Sequence, residues 1–159
     1  MEDQRNLFNR WFVTPLSMLQ SLPNGDGGFI ALATCFFLYE RYAKALQKKN
    51  RVKADTSTLV TQLAKDFDTD RKSAEVFWSV VRDGILHQGM PKQRNQGKKN
   101  LPGYILHHSF SKPFELVDWG GEPAIKIQPW CFVWKVVELC EDNFEILVEN
   151  NSFPFPKVM

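Results

Sequence analysis

A chain of 159 residues with 43% hydrophobic and 24% charged positions is large enough to bury a core as one domain without metals or disulfides. That usage excludes a disordered chain, and a formal net charge of +2 is too small to argue by itself for nucleic acid or a membrane. The three cysteines, Cys35, Cys131 and Cys140, have no CxxC spacing. They speak against a disulfide framework or a zinc site and suit a reducing compartment.

The first element is predicted as a helix from about Asp3 to Leu22, capped by Asp3, with Leu7, Phe8, Trp11, Phe12, Leu16 and Leu19 at helical spacing. Pro15 lies within it and predicts a kink or break. Pro23 to Gly28 is a turn. A second helix, Phe29 to Lys49, starts apolar all round and becomes amphipathic, and its first half should form the centre of the core. Its apolar run ends at Glu40-Arg41 and is too short to span a bilayer. Met1-Glu2-Asp3-Gln4 has no basic leader region, so a cytoplasmic location without a membrane partner is expected.

A third helix begins at Asp55 or Ser57, and a fourth near Asp70, its expected N-cap, carrying Ala74, Phe77, Trp78, Val81 and Ile85. Residues 91–103 then form a long basic loop with Lys92, Arg94, Lys98 and Lys99 and no acid. Tyr104 to Phe110, Phe114 to Trp119 and Ala124 to Gln128 read as short strands, and Pro129 opens a last helix reaching Cys140. Phe144 to Val148, followed by Phe153-Pro154-Phe155-Pro156, fits an extension of that helix, a final strand or an extended tail. The expected fold is mainly α: one domain with a bundle of about five helices (3–90 and 129–159) and a small antiparallel β insertion at 104–128.

The most informative motif is Arg82-Asp83-Gly84-Ile85-Leu86-His87 after the apolar run Val76 to Val81. An Arg, a polar residue, three more and a His, on a helix of a small α-helical protein, resemble the HEPN superfamily signature. The resemblance implies a helical bundle, to which the strands would be an insertion, and a pair of protomers whose motifs form one cleft. It also implies metal-independent endoribonuclease chemistry of a toxin or defence type, with an antitoxin or other protein as a further partner. A 2′-hydroxyl would attack the neighbouring phosphorus, leaving a 2′,3′-cyclic phosphate and a 5′-hydroxyl. His87 would be the general acid or base, Arg82 would stabilise the phosphorane, and Asp83 would position both.

The residues can also be read without the family. Five positions along a helix turn the chain through about 500°, so Arg82 and His87 point roughly 140° apart. They converge on one ligand only if the helix ends or distorts between them, which Gly84 would permit, or if two chains share the site. Asp83 and His87 are i, i+4 neighbours, which would let the carboxylate orient the imidazole. Basic residues near a helix end also suit the dipole alone, and Arg82 or His87 could serve only a structural pair.

Lys92, Arg94, Lys98 and Lys99 are candidate RNA-phosphate contacts, although a solvated loop is the commoner meaning of such a run. His107 and His108 fall on a predicted strand and should face opposite sides, so a metal pair is not expected. Trp119, Trp130, Phe132 and Trp134 could stack on bases, with core packing or a dimer surface the commoner use. There is no phosphate-binding loop, dinucleotide fingerprint or nucleophile elbow, and no cofactor or metal is expected. Two other functions fit the same residues: a non-catalytic helical protein-interaction module and a small nucleic-acid-binding regulator.

Overall fold

The computed structural model describes residues 2–92 and 101–149. Helix α1 (Glu2–Phe8) runs through a π-helical segment, Asn9–Val13, into α2 (Thr14–Gln20). Pro15 therefore does not break the chain. An α-helix would aim the Pro15 nitrogen at the Trp11 carbonyl, where proline has no hydrogen to donate and its ring collides. The wider π turn just before Pro15 relieves that conflict.

A turn at Pro23–Gly25 leads to α3 (Gly28–Lys49), the longest helix among the described residues. Its buried positions include Ala31, Leu32, Cys35, Phe36, Tyr39, Tyr42 and Ala43, the helical stripe expected of a central element. Helix α4 (Thr56–Asp66) starts on a reciprocal cap: Asp55 Oδ1 accepts the Thr58 N–H at 2.9 Å, and Thr58 Oγ1 accepts the Asp55 N–H at 3.2 Å. Helix α5 (Arg71–Val76) is capped as expected by Asp70, whose Oδ1 accepts from Ser73 N–H at 2.9 Å. It passes into a second π segment, Phe77–Arg82, and then α6 (Asp83–Gln88), which ends at Gly89 in the left-handed conformation (φ 75°).

Strands β1 (Gly103–Leu106), β2 (Phe114–Asp118) and β3 (Pro123–Ile127) form one sheet in the order β1-β3-β2. The expected insertion is present, but it is not purely antiparallel: β1 pairs with β3 in parallel and β2 pairs with β3 antiparallel. Strand β3, with buried Ala124, Ile125 and Ile127, takes the centre, where both of its edges are paired. The free edge of β2 is held from outside, because Leu116 N–H donates to Ser73 Oγ of α5 at 3.1 Å.

The chain closes with α7 (Pro129–Asp142) and α8 (Phe144–Glu149). Phe144 to Val148 lies in a separate short helix, set off from α7 by Asn143, rather than extending α7 or forming a strand or tail, and Phe153-Pro154-Phe155-Pro156 lies outside the described residues. The Gln128 side chain caps α7, accepting from Trp130 and Cys131 N–H at 2.7 and 3.1 Å. Helices α3 and α7 are the most extensively packed pair and run in the same direction: Gly28 faces Pro129, and Cys35 Sγ lies 3.9 Å from the Val133 carbonyl. Burial pushes both core thiols up, Cys140 to about 12, so neither is a nucleophile at neutral pH.

Aromatic rings fill the space between the layers. Phe36 packs on Phe77 and Phe132 at 5.4 and 5.1 Å, Phe67 stacks on Phe132 at 5.0 Å, and Phe77 stacks on Phe114 at 4.0 Å. Of the aromatics considered for base stacking, Trp130 and Phe132 are buried, Trp134 is half-buried with its indole N–H on Gln20 Oε1 at 2.9 Å, and Trp119 is exposed. No helix among the described residues is long and apolar enough to cross a membrane.

Ser73 is 1% exposed, accepts from Leu116 N–H and donates to Asp70 Oδ2 at 2.5 Å. The Ser73 hydroxyl and backbone N–H, both donating to Asp70, hold its carboxyl below its ordinary range. A depressed folded pKa contributes stability that is present above the unfolded value of about 3.9 and is lost as pH falls through the folded one. Ser73→Ala is expected to cost about 1–3 kcal/mol by orphaning the Leu116 amide. It should also flatten the acid limb of a stability-against-pH curve, as denaturant melts between neutral pH and pH 3 would read.

Candidate functional site

Arg82 closes the second π segment, in which Phe77, Trp78, Val80 and Val81 are all buried. The extra residue in the turn lets four of six side chains face the core and carries Arg82 toward the middle of α3. There its Nη2 donates to Glu40 Oε1 at 2.7 Å and its Nη1 to Asp83 Oδ1 at 2.9 Å. The guanidinium carbon lies 5.0 Å from the Trp78 ring centroid, a cation–π contact beneath the ion pairs. Asp83 Oδ2 takes Lys92 Nζ at 3.5 Å. Two cations and two carboxylates thus form a charge-balanced quartet, with side chains only 19–30% exposed. The Nε of Arg82 is buried and has no partner among the described residues.

His87 belongs to the exposed end of α6 and forms no hydrogen bond or ion pair with any described residue. Asp83 does not orient it, because both Asp83 oxygens are taken by Arg82 and Lys92. The i, i+4 spacing made that contact available; two cations outbid one imidazole for the carboxylate. The structure therefore brings Arg82, Asp83 and Lys92 together and leaves His87 to solvent. Arg94, Lys98 and Lys99, the other residues of the basic loop singled out for RNA, lie outside the described residues.

Gly84 does not act as a hinge, since α6 continues through it. It permits a close crossing instead. A Cβ there would stand 2.6 Å from the Met90 carbonyl oxygen and 2.7 Å from the Pro91 carbonyl carbon, and closer still to the Lys92 nitrogen. Residues 90–92 thus strap across the start of α6, fastened by Lys92 N–H on the Val80 carbonyl at 2.9 Å. The strap delivers the Lys92 ammonium to Asp83.

Glu40 is the residue that pattern reading missed. Its only signal was its position, as the first acid after an apolar run on a helix expected at the core. An acid so placed needs a buried-side cation, but nothing along the chain says which one.

His107 and His108 are not on a strand, because β1 stops at Leu106. His107 Nδ1 accepts from Ser109 N–H at 3.1 Å, which turns the chain out of the sheet. His108 packs against Gly25, which adopts φ 76°. Two adjoining clefts of about 410 and 380 Å³ meet at these two residues, beside the start of α3 and away from Arg82. Among the described residues no group of three or more His, Cys, Asp or Glu could hold a metal ion.

No family model, no curated protein and no solved structure matches this chain.

Gly84→Ala is expected to lower stability by about 1–3 kcal/mol, because the new methyl meets backbone on three sides. Loosening the strap should also separate Lys92 from Asp83. An unchanged thermal midpoint in calorimetry would mean the strap yields freely and does not fix the quartet.

Proposed function

We propose that this protein is a small RNA-cleaving protein in which two chains complete a metal-independent, HEPN-like endoribonuclease site. The observation that carries this reading is the division of the motif. One member, Arg82, is held rigid and half-buried by Glu40, Asp83 and Trp78, and the other, His87, is exposed without a partner among the described residues. A positioned guanidinium suits a phosphorane in the transition state, and an exposed imidazole suits proton transfer. The two diverge on the helix by roughly 140°, so a second copy is needed to bring His87 to a phosphate facing Arg82.

The surface beside the quartet supports such pairing. Phe37 stands one turn before Glu40 on α3 and is 57% exposed, Ile30 continues the same stripe at 59%, and Met90 follows α6 at 44%. The chemistry follows from the roles. His87 of one chain takes the 2′-hydroxyl proton while the oxygen attacks the adjacent phosphorus. The 5′-oxygen leaves and is protonated by a second imidazole, and Arg82 holds the charge on the non-bridging oxygens. A toxin or defence role is part of the same proposal.

One observation favours a second reading. Arg82 is already neutralised by two carboxylates, which is what a purely structural ion pair looks like. In that case the chain is a non-catalytic interaction module presenting the Phe37 and Ile30 surface to another protein.

His87→Ala is the clean test because His87 is exposed. Its stability should stay within about 0.5 kcal/mol of the parent, while cleavage of single-stranded RNA in the presence of a chelator falls by about 10²–10⁴-fold. Products of the parent should carry 2′,3′-cyclic phosphate and 5′-hydroxyl ends. Arg82→Ala should also abolish cleavage, but it strips the counter-charge from Glu40 and Asp83 and should cost about 1–3 kcal/mol. No cleavage by the pure parent protein on any RNA, or full activity in His87→Ala, sinks the nuclease reading in favour of the second.

A further inference from the structure

The face of the sheet turned away from the helices carries a row of rings and cations that the Arg82 site does not use. Side chains alternate across a strand, so Phe114, Ile125 and Ile127 enter the core while Glu115, Val117 and Lys126 project from the opposite face. Lys126 Nζ lies 5.1 Å from the Phe110 ring centroid and 5.6 Å from that of Trp119. The His107 ring follows at 5.5 Å from Phe110. Four side chains from β3, the end of β2 and the β1–β2 connection thus form a continuous ladder: His107, Phe110, Lys126, Trp119.

The charges of this ladder are unbalanced in a specific way. Glu115 stands directly across from Lys126 in register, yet its carboxylate is taken by Lys112 at 2.6 Å. Lys126 has no carboxylate partner among the described residues. Asp118, the next acid along β2, turns back to accept the Gly121 N–H at 2.7 Å. Trp119 is 57% exposed, although an indole of that size would ordinarily be drawn into a core already built of phenylalanine. His107 Nδ1 accepts the Ser109 N–H at 3.1 Å and lies 2.6 Å from the Ser109 hydroxyl, which fixes the ring beside Phe110.

We infer that this sheet face binds a single-stranded polynucleotide, with Trp119 and Phe110 stacking on two bases and Lys126 between them meeting the phosphate that links them. The exposed Trp119 and half-exposed Phe110 rings give affinity for any base because each base has a π-face, and a cation between two rings, with no carboxylate partner among the described residues, matches the repeat of base and phosphate along a strand. A cavity of about 180 Å³ lined by Ser109, Phe110, Ser111, Lys112, Glu115 and Lys126 adjoins the ladder. The choice of RNA over DNA rests on the nuclease reading above; the stacking and phosphate contacts do not.

The test uses the full chain carrying His87→Ala, so that no probe is consumed, and fluorescence anisotropy with a labelled 12-nucleotide RNA and the DNA of the same sequence. Trp119→Ala and Phe110→Ala should each weaken binding about 5- to 100-fold. Trp119→Phe, which keeps a ring, should stay close to the parent. Lys126→Met should reduce the slope of log K against log salt by about 0.7. Lys44→Ala, on the exposed end of α3, should change neither. Equal affinity for RNA and DNA identifies a strand binder blind to the sugar, and tighter RNA binding identifies a 2′-hydroxyl contact; both support the inference. No binding of either strand, or parental affinity in Trp119→Ala, Phe110→Ala and Lys126→Met together, overturns it. The two proposals fail separately. A parent that binds through the ladder but cleaves nothing loses only the nuclease reading, whereas one that cleaves with an unchanged KM in the ladder variants loses only this one.

Discussion

The stacking of Phe77 on Phe114, 4.0 Å between centroids and nearly parallel, is the contact on which the molecule turns. It joins the π segment before the motif to the first residue of β2, and through Phe36, Phe67 and Phe132 it reaches α3, the end of α4 and α7. Five elements contributing rings from positions 36 to 132 of the chain meet in this one set. Each such pair contributes about 0.5–1.5 kcal/mol beyond the area it buries. The cluster also gives the three-stranded sheet the buried apolar face that a sheet of this size needs. Its β2 end is packed on helix side chains, and its free edge is tied to Ser73.

The same cluster places the charged quartet. Trp78 packs against Phe36 and Tyr39 and presents its ring to Arg82. With Phe77 and Val81 drawn inward, Arg82 is left on the border between core and solvent, opposite the one acid of central α3 that lies at that border. Arg82 satisfies Glu40 and Asp83 together from two separate nitrogens of its planar guanidinium, held in a fixed fork. The arginine is thus held in place by contacts within its own chain. Its charge is shared, and in the proposed reaction a phosphate would have to compete with two carboxylates for it. A second chain supplying His87 and excluding water would tilt that competition.

Most of the described phenylalanines lie in the core beside Tyr39, Tyr42, Trp78 and Trp130, while Trp119 and Phe110 flank a lysine on the open sheet face and Phe37 stands on the open side of α3. The two surfaces differ in chemistry: the α3 stripe is apolar and suits another protein surface, whereas the sheet ladder interleaves rings with cation and suits a strand of bases and phosphates. The proposed cleavage site shared by two chains and the inferred strand-binding face on each would be compatible in one assembly.

Much of the helical architecture was legible in the chain because its signals are local. Asp55 and Asp70 cap the helices they precede, Gly28–Lys49 follows its apolar stripe, and Pro129 opens α7, each within a turn of where spacing and capping place them. The strands were legible as segments, but their order was not, because pairing is decided by which strand is apolar enough to lie between two others. Within the motif, Arg82, Asp83 and His87 could be recognised by type and spacing, and their divergence on the helix followed from its geometry. What only the tertiary structure decided was who holds whom. Glu40 is 42 positions from Arg82, and no rule of spacing links them. Gly84 looked like a helix breaker and is a crossing point, because the Met90–Lys92 strap that needs its missing side chain returns over it in space. Asp83 looked like the partner of His87 and is the partner of Arg82 and Lys92, because a carboxylate goes to the strongest positive field it can reach, and that field is assembled by folding.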